Sequence, residues 1–258
     1  MTDINSHIQM PRCVLKHFCD EKNFLYYYDF NYNAIRKGGA KSINTEVGYY
    51  SIDTERYLNK EVETPFSRII DFVKTIDIGG PSFRVSDDFH DDVRKYLYAL
   101  LSRSEMMQKS IGKSSVYYQF YSKQDQHDIA VGYGIETMKG EGFLKSHIIT
   151  MMINKTEIPF VLPMQGLYEF QYDKMRCINV PVTPQYALTL VDSRTAEDLI
   201  KDGVVKLFYV EKTEIAKELN RTAFNYEKTG NRRAVVSNNK SLIEELKAIC
   251  ISELDKSE

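Results

Sequence analysis

Two imidazoles and two thiols lie close together near the start of the chain, and zinc accepts this mixture of ligands. They belong to His7, Cys13, His17 and Cys19. The spacing argues against a zinc site, because no C-x2-C pair is present to fold the ligands around one ion. Residues 11–18 are better explained as a segment that buries its apolar side chains. We keep His7 as a candidate catalytic residue and predict no metal site here.

A second cluster of ionisable side chains surrounds His90. Four aspartates, at positions 87, 88, 91 and 92, flank the imidazole, and oxygen ligands of this kind suit a divalent cation. The start of a helix favours the same residues, because carboxylates interact well with the positive end of the helix dipole. The sequence therefore predicts a helix that starts near His90. No cofactor is evident, and a divalent metal is possible.

Two pairs of residues fit the loose Arg-x4-6-His pattern of helical ribonucleases, in which the imidazole acts on the 2′-hydroxyl. These are Arg84 with His90 and Arg12 with His17. Two matches in unrelated surroundings show how readily chance produces the pattern. We take His90 as the second candidate catalytic residue and Arg12 as a candidate binding residue.

The motifs of several enzyme classes are absent from the sequence. It contains no G-x-S-x-G nucleophile elbow, no G-x4-G-K-[ST] phosphate loop and no completed G-x-G-x-x-G fingerprint. Nucleotide hydrolysis by a phosphate loop and dinucleotide redox chemistry are therefore not expected.

The strongest local basic feature is the stretch 228–233, which ends in Arg232 and Arg233. Arg221 lies about two helical turns before it. Such a turn could hold phosphate, although a solvated connection between a helix and a strand is the simpler interpretation. Arg221, Arg232 and Arg233 are our candidate phosphate-binding residues.

The chain contains 18 Tyr and 13 Phe but no Trp, and these aromatic residues concentrate in 24–30 and 117–121. Tyrosine combines a flat apolar face with a hydroxyl that needs a partner when buried, so it suits half-exposed strands and binding surfaces alike. A sheet packed on helices is the simpler interpretation. Tyr26 and Tyr28 are alternate residues of the first stretch, and we predict that they contact a partner.

The residue patterns predict an α+β protein with an N-terminal β-hairpin, central helices and a C-terminal mixed sheet with two closing helices. Turn residues at 31–33 separate the two strands of the hairpin. Central helices are predicted to start near Asp53, at Pro65 and after Ser86. A further helix is predicted over residues 115–126, where the density of aromatic residues leaves a strand as the alternative.

Four glycines between residues 130 and 142 predict a looser segment, after which short apolar runs have the spacing of strands. Helices over 211–228 and 239–254 are predicted to flank a strand at 234–236. No repeat or linker interrupts the sequence, so we expect one compact domain over residues 1–258, with a possible subdivision near residue 140.

Charge and hydropathy indicate which partners and which cell compartment to expect for this protein. The 34 Lys and Arg nearly balance the 36 Asp and Glu, so binding to nucleic acid needs a local patch. The start lacks the apolar core of a signal peptide, and no run of about 18 apolar residues occurs. Four scattered cysteines suit a reducing compartment. We expect a cytoplasmic protein with free thiols and no membrane association.

Motifs at both ends of the chain occur in a recognisable order. They are Pro11-Arg12-x2-Leu15-x2-Phe18, Asp20-Glu21, the stretch 24–29, Pro159-Phe160-Val161, the stretch 180–190, Leu219-Asn220-Arg221 and Val235-Val236-Ser237. In this order they resemble the bacterial domain of unknown function 4238 family. The resemblance implies a bacterial or phage-borne intracellular protein and supplies no established activity.

Two positions depart from the pattern of that family. The family has His three residues before the first proline, where this chain has Ile8, and His7 lies four residues before Pro11. The family also places Ser-Asp shortly after Pro-Phe, where this chain has Pro163 and Met164. If that carboxylate acts in catalysis elsewhere in the family, this chain has lost it.

The expected function is a nucleic-acid-directed effector in a defence or mobile-element setting, with possible nuclease-like activity, because tyrosines can stack on bases and the basic turn can hold phosphate. The alternative is a non-catalytic protein-binding or regulatory module with a tyrosine-rich contact surface. A homo-oligomer is possible. A small-molecule pocket between the helices and the C-terminal strands is compatible with the sequence, but no residue points to it.

Overall fold

The computed structural model describes residues 5–76, 79–114, 117–140, 143–172, 175–196, 203–227 and 234–252. Its α-helices are α1 (Arg12–Leu15), α2 (Ile52–Tyr57), α3 (Thr64–Val73), α4 (Asp88–Ser102), α5 (Glu105–Ser114), α6 (Lys123–Lys139), α7 (Thr213–Glu227) and α8 (Lys240–Ser252). Its strands are β1 (Asn5–His7), β2 (Phe24–Asp29), β3 (Ala34–Gly39), β4 (Thr45–Val47), β5 (Ser82–Arg84), β6 (His147–Asn154), β7 (Leu162–Pro163), β8 (Tyr168–Tyr172), β9 (Met175–Pro181), β10 (Tyr186–Asp192), β11 (Val204–Val210) and β12 (Ala234–Ser237).

Within these residues the strands form two main sheets and one short pair, β1 with β4. The larger sheet has the order β5-β11-β6-β10-β9-β8, and its neighbouring strands are antiparallel apart from β11 and β6. The smaller sheet has the order β3-β2-β12-β7 and is antiparallel throughout. The predicted α+β class, with its hairpin, central helices and mixed C-terminal sheet, is confirmed.

The hairpin of β2 and β3 forms where the sequence predicts it. Asn33 adopts a left-handed backbone conformation with φ of 48°, which asparagine tolerates better than most residues. The Asn31 amide donates to Asp29 Oδ1 over 3.0 Å and stabilises the turn locally. The second neighbour of β2 is β12, with Tyr28 opposite Val235, so the smaller sheet joins distant parts of the chain.

The large sheet is packed on both faces. On one face the central helices complete the main core, which includes Phe66, Leu97, Met151 and Leu188. On the other face α7 contributes to a second core, which includes Met152, Ala187, Leu219 and Phe224. α7 covers this second face only in part, and a cavity lies between α7 and the strands of the sheet.

The prediction that a helix starts at Pro65 is confirmed, because Pro65 lies in the first turn of α3. The chain does not break before this helix, however. A π-helical stretch, Leu58–Glu63, connects α2 to α3, and the Thr64 amide donates to the carbonyl of Asn59 five residues back. A π turn is wider than an α turn, so it relieves the clash between the proline ring and the preceding carbonyls.

The predictions for residues 115–142 are wrong in their boundaries. Within the described residues, Tyr118–Phe120 form one 3-10 turn, and Ser122 caps a helix that runs through the supposedly loose segment. One of these glycines permits close helix packing instead: a Cβ on Gly134 would lie 2.7 Å from Ser102 Cβ on α4. No helix in the described parts of the chain is long and apolar enough to cross a bilayer.

Candidate functional site

His7 lies at the end of β1, opposite Thr45 of β4. Its Nε2 is 2.8 Å from the carbonyl oxygen of Ala40, which can only accept, so the proton is on Nε2 and the lone pair on Nδ1. Burial lowers the pKa of His7, and the positive charges of Arg103 and Arg12 act in the same direction. His7 is therefore a neutral imidazole at pH 7, with the exposed Arg12 nearby.

A buried ion pair holds this region in place. Arg103, which follows α4, is 4% exposed and donates from Nη2 to Glu63 Oε1 over 2.7 Å. Its Nη1 reaches the carbonyl oxygen of Gln9 over 3.4 Å. Glu63 closes the π-helical stretch. The pair thus connects the central helices to the N-terminal segment that carries His7.

The outer surface of the hairpin combines aromatic rings with cations. Lys37 Nζ lies 4.5 Å from the centre of the Phe24 ring and 5.4 Å from that of Tyr26. Near the turn, Arg36 Cζ lies 4.2 Å from the centre of the Tyr32 ring. Phe24 and Tyr32 are 42% and 67% exposed, and Tyr26 is half-buried. Arg36 and Lys37 are consecutive residues of β3, so their side chains lie on opposite faces of the hairpin, and Arg36 also lies 3.9 Å from Asp29. Lys37 shares its face with Phe24 and Tyr26. We call Phe24, Tyr26, Tyr32, Arg36 and Lys37 together the hairpin surface.

Tyr28 does not belong to the hairpin surface. Its side chain is 2% exposed, stacks on Phe224 of α7 with ring centres 5.3 Å apart, and meets Phe30 edge-on. Its hydroxyl donates to Asn33 Oδ1 over 2.9 Å. Of the two tyrosines predicted to contact a partner, the structure leaves Tyr26 accessible and places Tyr28 in the core.

A polar cleft of about 560 Å³ opens beside the hairpin. Its walls include His17, Lys74, Glu157, Tyr186 and Asn239. Burial lowers the pKa of His17 to about 4, and Lys74 contributes to the shift. The cleft therefore presents a neutral imidazole next to an ammonium group and side-chain amides.

The strand register places this cleft next to the hairpin surface. Ser237, the last residue of β12, is paired with Tyr26, so Asn238 and Asn239, which both line the cleft, follow at the Phe24 end of β2. The same end of β3 leads into Ala40, the partner of His7. His7, Tyr26 and the cleft thus cluster at one end of the hairpin.

The other predicted site residues lie elsewhere. His90 is in the first turn of α4, against the edge of Phe89. It is 13 residues before Arg103, which corresponds to about 20 Å along a helix, so the structure does not bring His90 and His7 together. Arg221 on α7 is 3.7 Å from Glu218. Arg232 and Arg233 lie outside the described residues.

The aspartates around His90 do not form a metal site in the structure. Within the described stretches, no group of three or more His, Cys, Asp or Glu side chains could hold an ion. Asp88 begins α4, as the helix-start interpretation predicts. Burial raises the pKa of Asp92, and the neighbouring Asp88 adds to the shift.

Several motif residues from the resemblance have structural roles. Asn220 of α7 accepts from the Val161 amide over 2.9 Å and donates to the carbonyl of Pro159 over 2.8 Å. Two turns later, Glu227 accepts from the amides of Gln165 and Ala234, each over 3.2 Å. Sequence reasoning missed Glu227, whose only signal is a carboxylate on the apolar face of a helix.

The two positions that depart from the family pattern are both buried in the main core. Ile8 is 2% exposed and Met164 is 1% exposed. Apolar side chains therefore contribute packing at these two positions.

Comparison of the chain with protein-family models, curated proteins and solved structures finds no match. The family resemblance of the motifs stays a prediction.

Proposed function

We propose that this chain is a nucleic-acid-directed effector that binds a single strand on the hairpin surface. The observation that carries this proposal is the pairing of aromatic rings of the hairpin with cations: Lys37 with the exposed Phe24 and the half-buried Tyr26, and Arg36 with the exposed Tyr32. Unpaired bases stack on aromatic rings whatever their identity, and adjacent cations contact the phosphates. A protein of balanced overall charge needs such a local patch.

The polar cleft supports this proposal, because it continues the hairpin surface at the Phe24 end. A strand that crosses Tyr26 and Phe24 on the Lys37 face would reach side-chain amides at Asn238 and Asn239 and the ammonium group of Lys74. Amides can donate to and accept from base edges. The hairpin would thus supply stacking, and the cleft would hold one base or phosphate.

Fluorescence anisotropy with labelled single-stranded RNA and DNA tests the proposal. Tyr32→Ser should weaken binding about tenfold, because stacking on an aromatic ring contributes about 1–3 kcal/mol per base. Tyr32→Phe keeps the ring and should bind like the parent. Tyr121→Ser removes a tyrosine that is 51% exposed outside the hairpin and serves as the matched control.

Salt dependence gives a second measure of binding. If Arg36 and Lys37 neutralise two phosphates, log K should fall with log salt with a slope of about −1.4. Lys37→Gln should reduce that slope by about one half. The proposal is overturned if the binding constant does not change with salt concentration, or if Tyr32→Ser binds as tightly as the parent.

Cleavage is tested in the same samples, with and without Mg²⁺ or Mn²⁺. His7 is the neutral base at the end of the hairpin, so His7→Gln should abolish any cleavage that the parent shows while leaving anisotropy unchanged. His90→Gln should have no effect on cleavage. Light scattering on Tyr32→Ser tests the alternative of a protein contact, since loss of self-association without nucleic-acid binding would favour that function.

A further inference from the structure

The partly covered face of the large sheet encloses a cavity of about 570 Å³. Met152, Cys177 and Val191 line it from three neighbouring strands, Phe208 from β11 and Leu219 from α7. Small-molecule pockets typically measure about 300–1,000 Å³ and are lined mainly by apolar side chains. The cavity thus has the size and lining of a pocket for an apolar ligand, and it is formed by different elements from the hairpin surface.

The charged residues of the cavity are all of one sign. Among the described residues that line it, Glu214 and Glu218 carry charge, and there is no lysine or arginine. Glu218 lies 3.7 Å from Arg221, whereas Glu214 has no ion-pair partner within the described stretches. Burial raises the pKa of Cys177 to about 11, so its thiol stays uncharged at neutral pH.

We propose that this cavity binds a cationic amphiphile, a molecule with an apolar chain and a single positive charge. The apolar chain would lie on Met152, Val191 and Phe208, where it displaces water from apolar surface. The positive charge would lie beside the exposed carboxylate of Glu214, whose full negative charge outweighs the partial positive charge at the start of α7. An anionic amphiphile of the same length would meet two carboxylates and bind weakly.

Calorimetric titration with three ten-carbon probes tests this inference. Decyltrimethylammonium, decanol and decanoate share the chain and differ in charge, and each is used below its micellar concentration. The cation should bind at least about tenfold more tightly than the carboxylate. The methyl NMR signals of Met152 and Met175, which line the cavity, should shift on binding, while that of Met10 in the main core should not.

Substitutions locate the charge. Glu214→Gln should remove most of the preference for decyltrimethylammonium over decanol. Asp53→Asn, which alters a carboxylate that is 95% exposed on α2, should retain it. The inference is overturned if decanoate binds as tightly as the cation, if Glu214→Gln keeps the full preference, or if the methyl signals of Met152 and Met175 stay in place. These three results do not depend on whether the hairpin surface binds nucleic acid.

Discussion

At the scale of single residues, the environment of a tyrosine decides whether it serves the fold or a surface. Tyr28 contacts Phe224 and Phe30, and its hydroxyl bonds to Asn33. Tyr28→Phe should cost about 1 kcal/mol of unfolding free energy through the lost hydrogen bond. Tyr28→Ser should cost about 3–5 kcal/mol through the cavity it leaves. Tyr26→Ser should cost less than half as much as Tyr28→Ser in the same urea denaturation, and equal losses would contradict this assignment.

The ion pair between Glu63 and Arg103 yields a second prediction at this scale. Arg103 is the more buried partner, and its guanidinium cannot lose its proton. Glu63→Ala should therefore destabilise the protein by about 3–5 kcal/mol, because it leaves a buried charge unpaired. The double variant Glu63→Ala with Arg103→Met should recover part of that loss, since it removes the unpaired charge. Urea denaturation of Glu63→Ala, Arg103→Met and the double variant measures the coupling. If the losses of the two single variants add up to the loss of the double variant, the pair is not coupled.

His17 links stability to pH. Burial lowers its pKa from 6.5 to about 4 in the folded protein, so between these pH values the unfolded chain binds a proton that the folded chain does not. Stability should accordingly decrease as the pH falls from about 6.5 to about 4. His17→Gln should remove about 1–2 kcal/mol of this decrease, a value reduced for partial exposure to solvent. Urea denaturation at pH 7 and pH 5 measures the effect, and an identical decrease in parent and variant would contradict it.

At the scale of elements, two glycines in α6 provide a matched pair. A Cβ at Gly134 would lie 2.7 Å from Ser102 Cβ and 2.9 Å from the carbonyl oxygen of Tyr98, whereas nothing lies within 4 Å of one at Gly132. Gly134→Ala should destabilise the protein by about 1–3 kcal/mol as α4 and α6 are forced apart. Gly132→Ala should stabilise it by about 0.5–1 kcal/mol through helix propensity. Thermal unfolding of both variants checks the opposite signs.

Residue patterns within a few positions predicted the hairpin correctly but gave the wrong structure for α6. The hairpin depends on an asparagine-rich turn between extended stretches, which acts within a few residues, and it forms as predicted. α6 is different, because its glycines suggest a loop locally, although Gly134 is needed for contact with α4. The start of α6 did have a local signal: Ser122 accepts from the Asp125 amide three residues on.

At the scale of the whole molecule, the segment 159–165 connects the two sheets. The Phe160 amide donates to the carbonyl of Pro184 beside the large sheet, while Leu162 is paired with Val236 in the smaller sheet. Asn220 bonds to the backbone of this segment on both of its polar atoms. Two buried polar side chains of α7, Asn220 and Glu227, therefore hold the segment that joins the sheets.

Substitution of Asn220 tests this dependence. Asn220→Ala leaves the buried Val161 amide and the half-buried Pro159 carbonyl unpaired and should cost about 2–3 kcal/mol. Hydrogen exchange should accelerate at the Val161 amide and also at the amides between β12 and β2, because both depend on the segment. Asn220→Asp keeps the acceptor for Val161 but places a buried carboxylate against the Pro159 carbonyl, so it should not recover the loss at neutral pH. Acceleration confined to Val161 would show that the segment does not couple the sheets.

In the candidate site, too, single residues were predictable from their type, whereas their arrangement depends on distant segments of the chain. His7, Arg12 and Tyr26 were predicted from residue type, and the structure places His7 and Tyr26 at one end of the hairpin. His90 was selected on equal grounds, but α4 carries it about 20 Å along the helix from Arg103, the neighbour of His7. The cleft itself was not predictable, because His17, Glu157 and Asn239 come from segments far apart in the chain.

The sequence by itself determined the α+β class, the hairpin, the two closing helices and the absence of an overall charge field, since these follow from periodicity, turn residues and composition. Only the tertiary structure decided that Tyr28 is core while Tyr26 is accessible, that Gly134 belongs to a helix contact, and that one face of the large sheet holds a cavity beside Glu214. The physical reason is that burial, ionisation and pocket shape depend on which distant segments pack together, and pairs such as β2 with β12 leave no local signal in the chain.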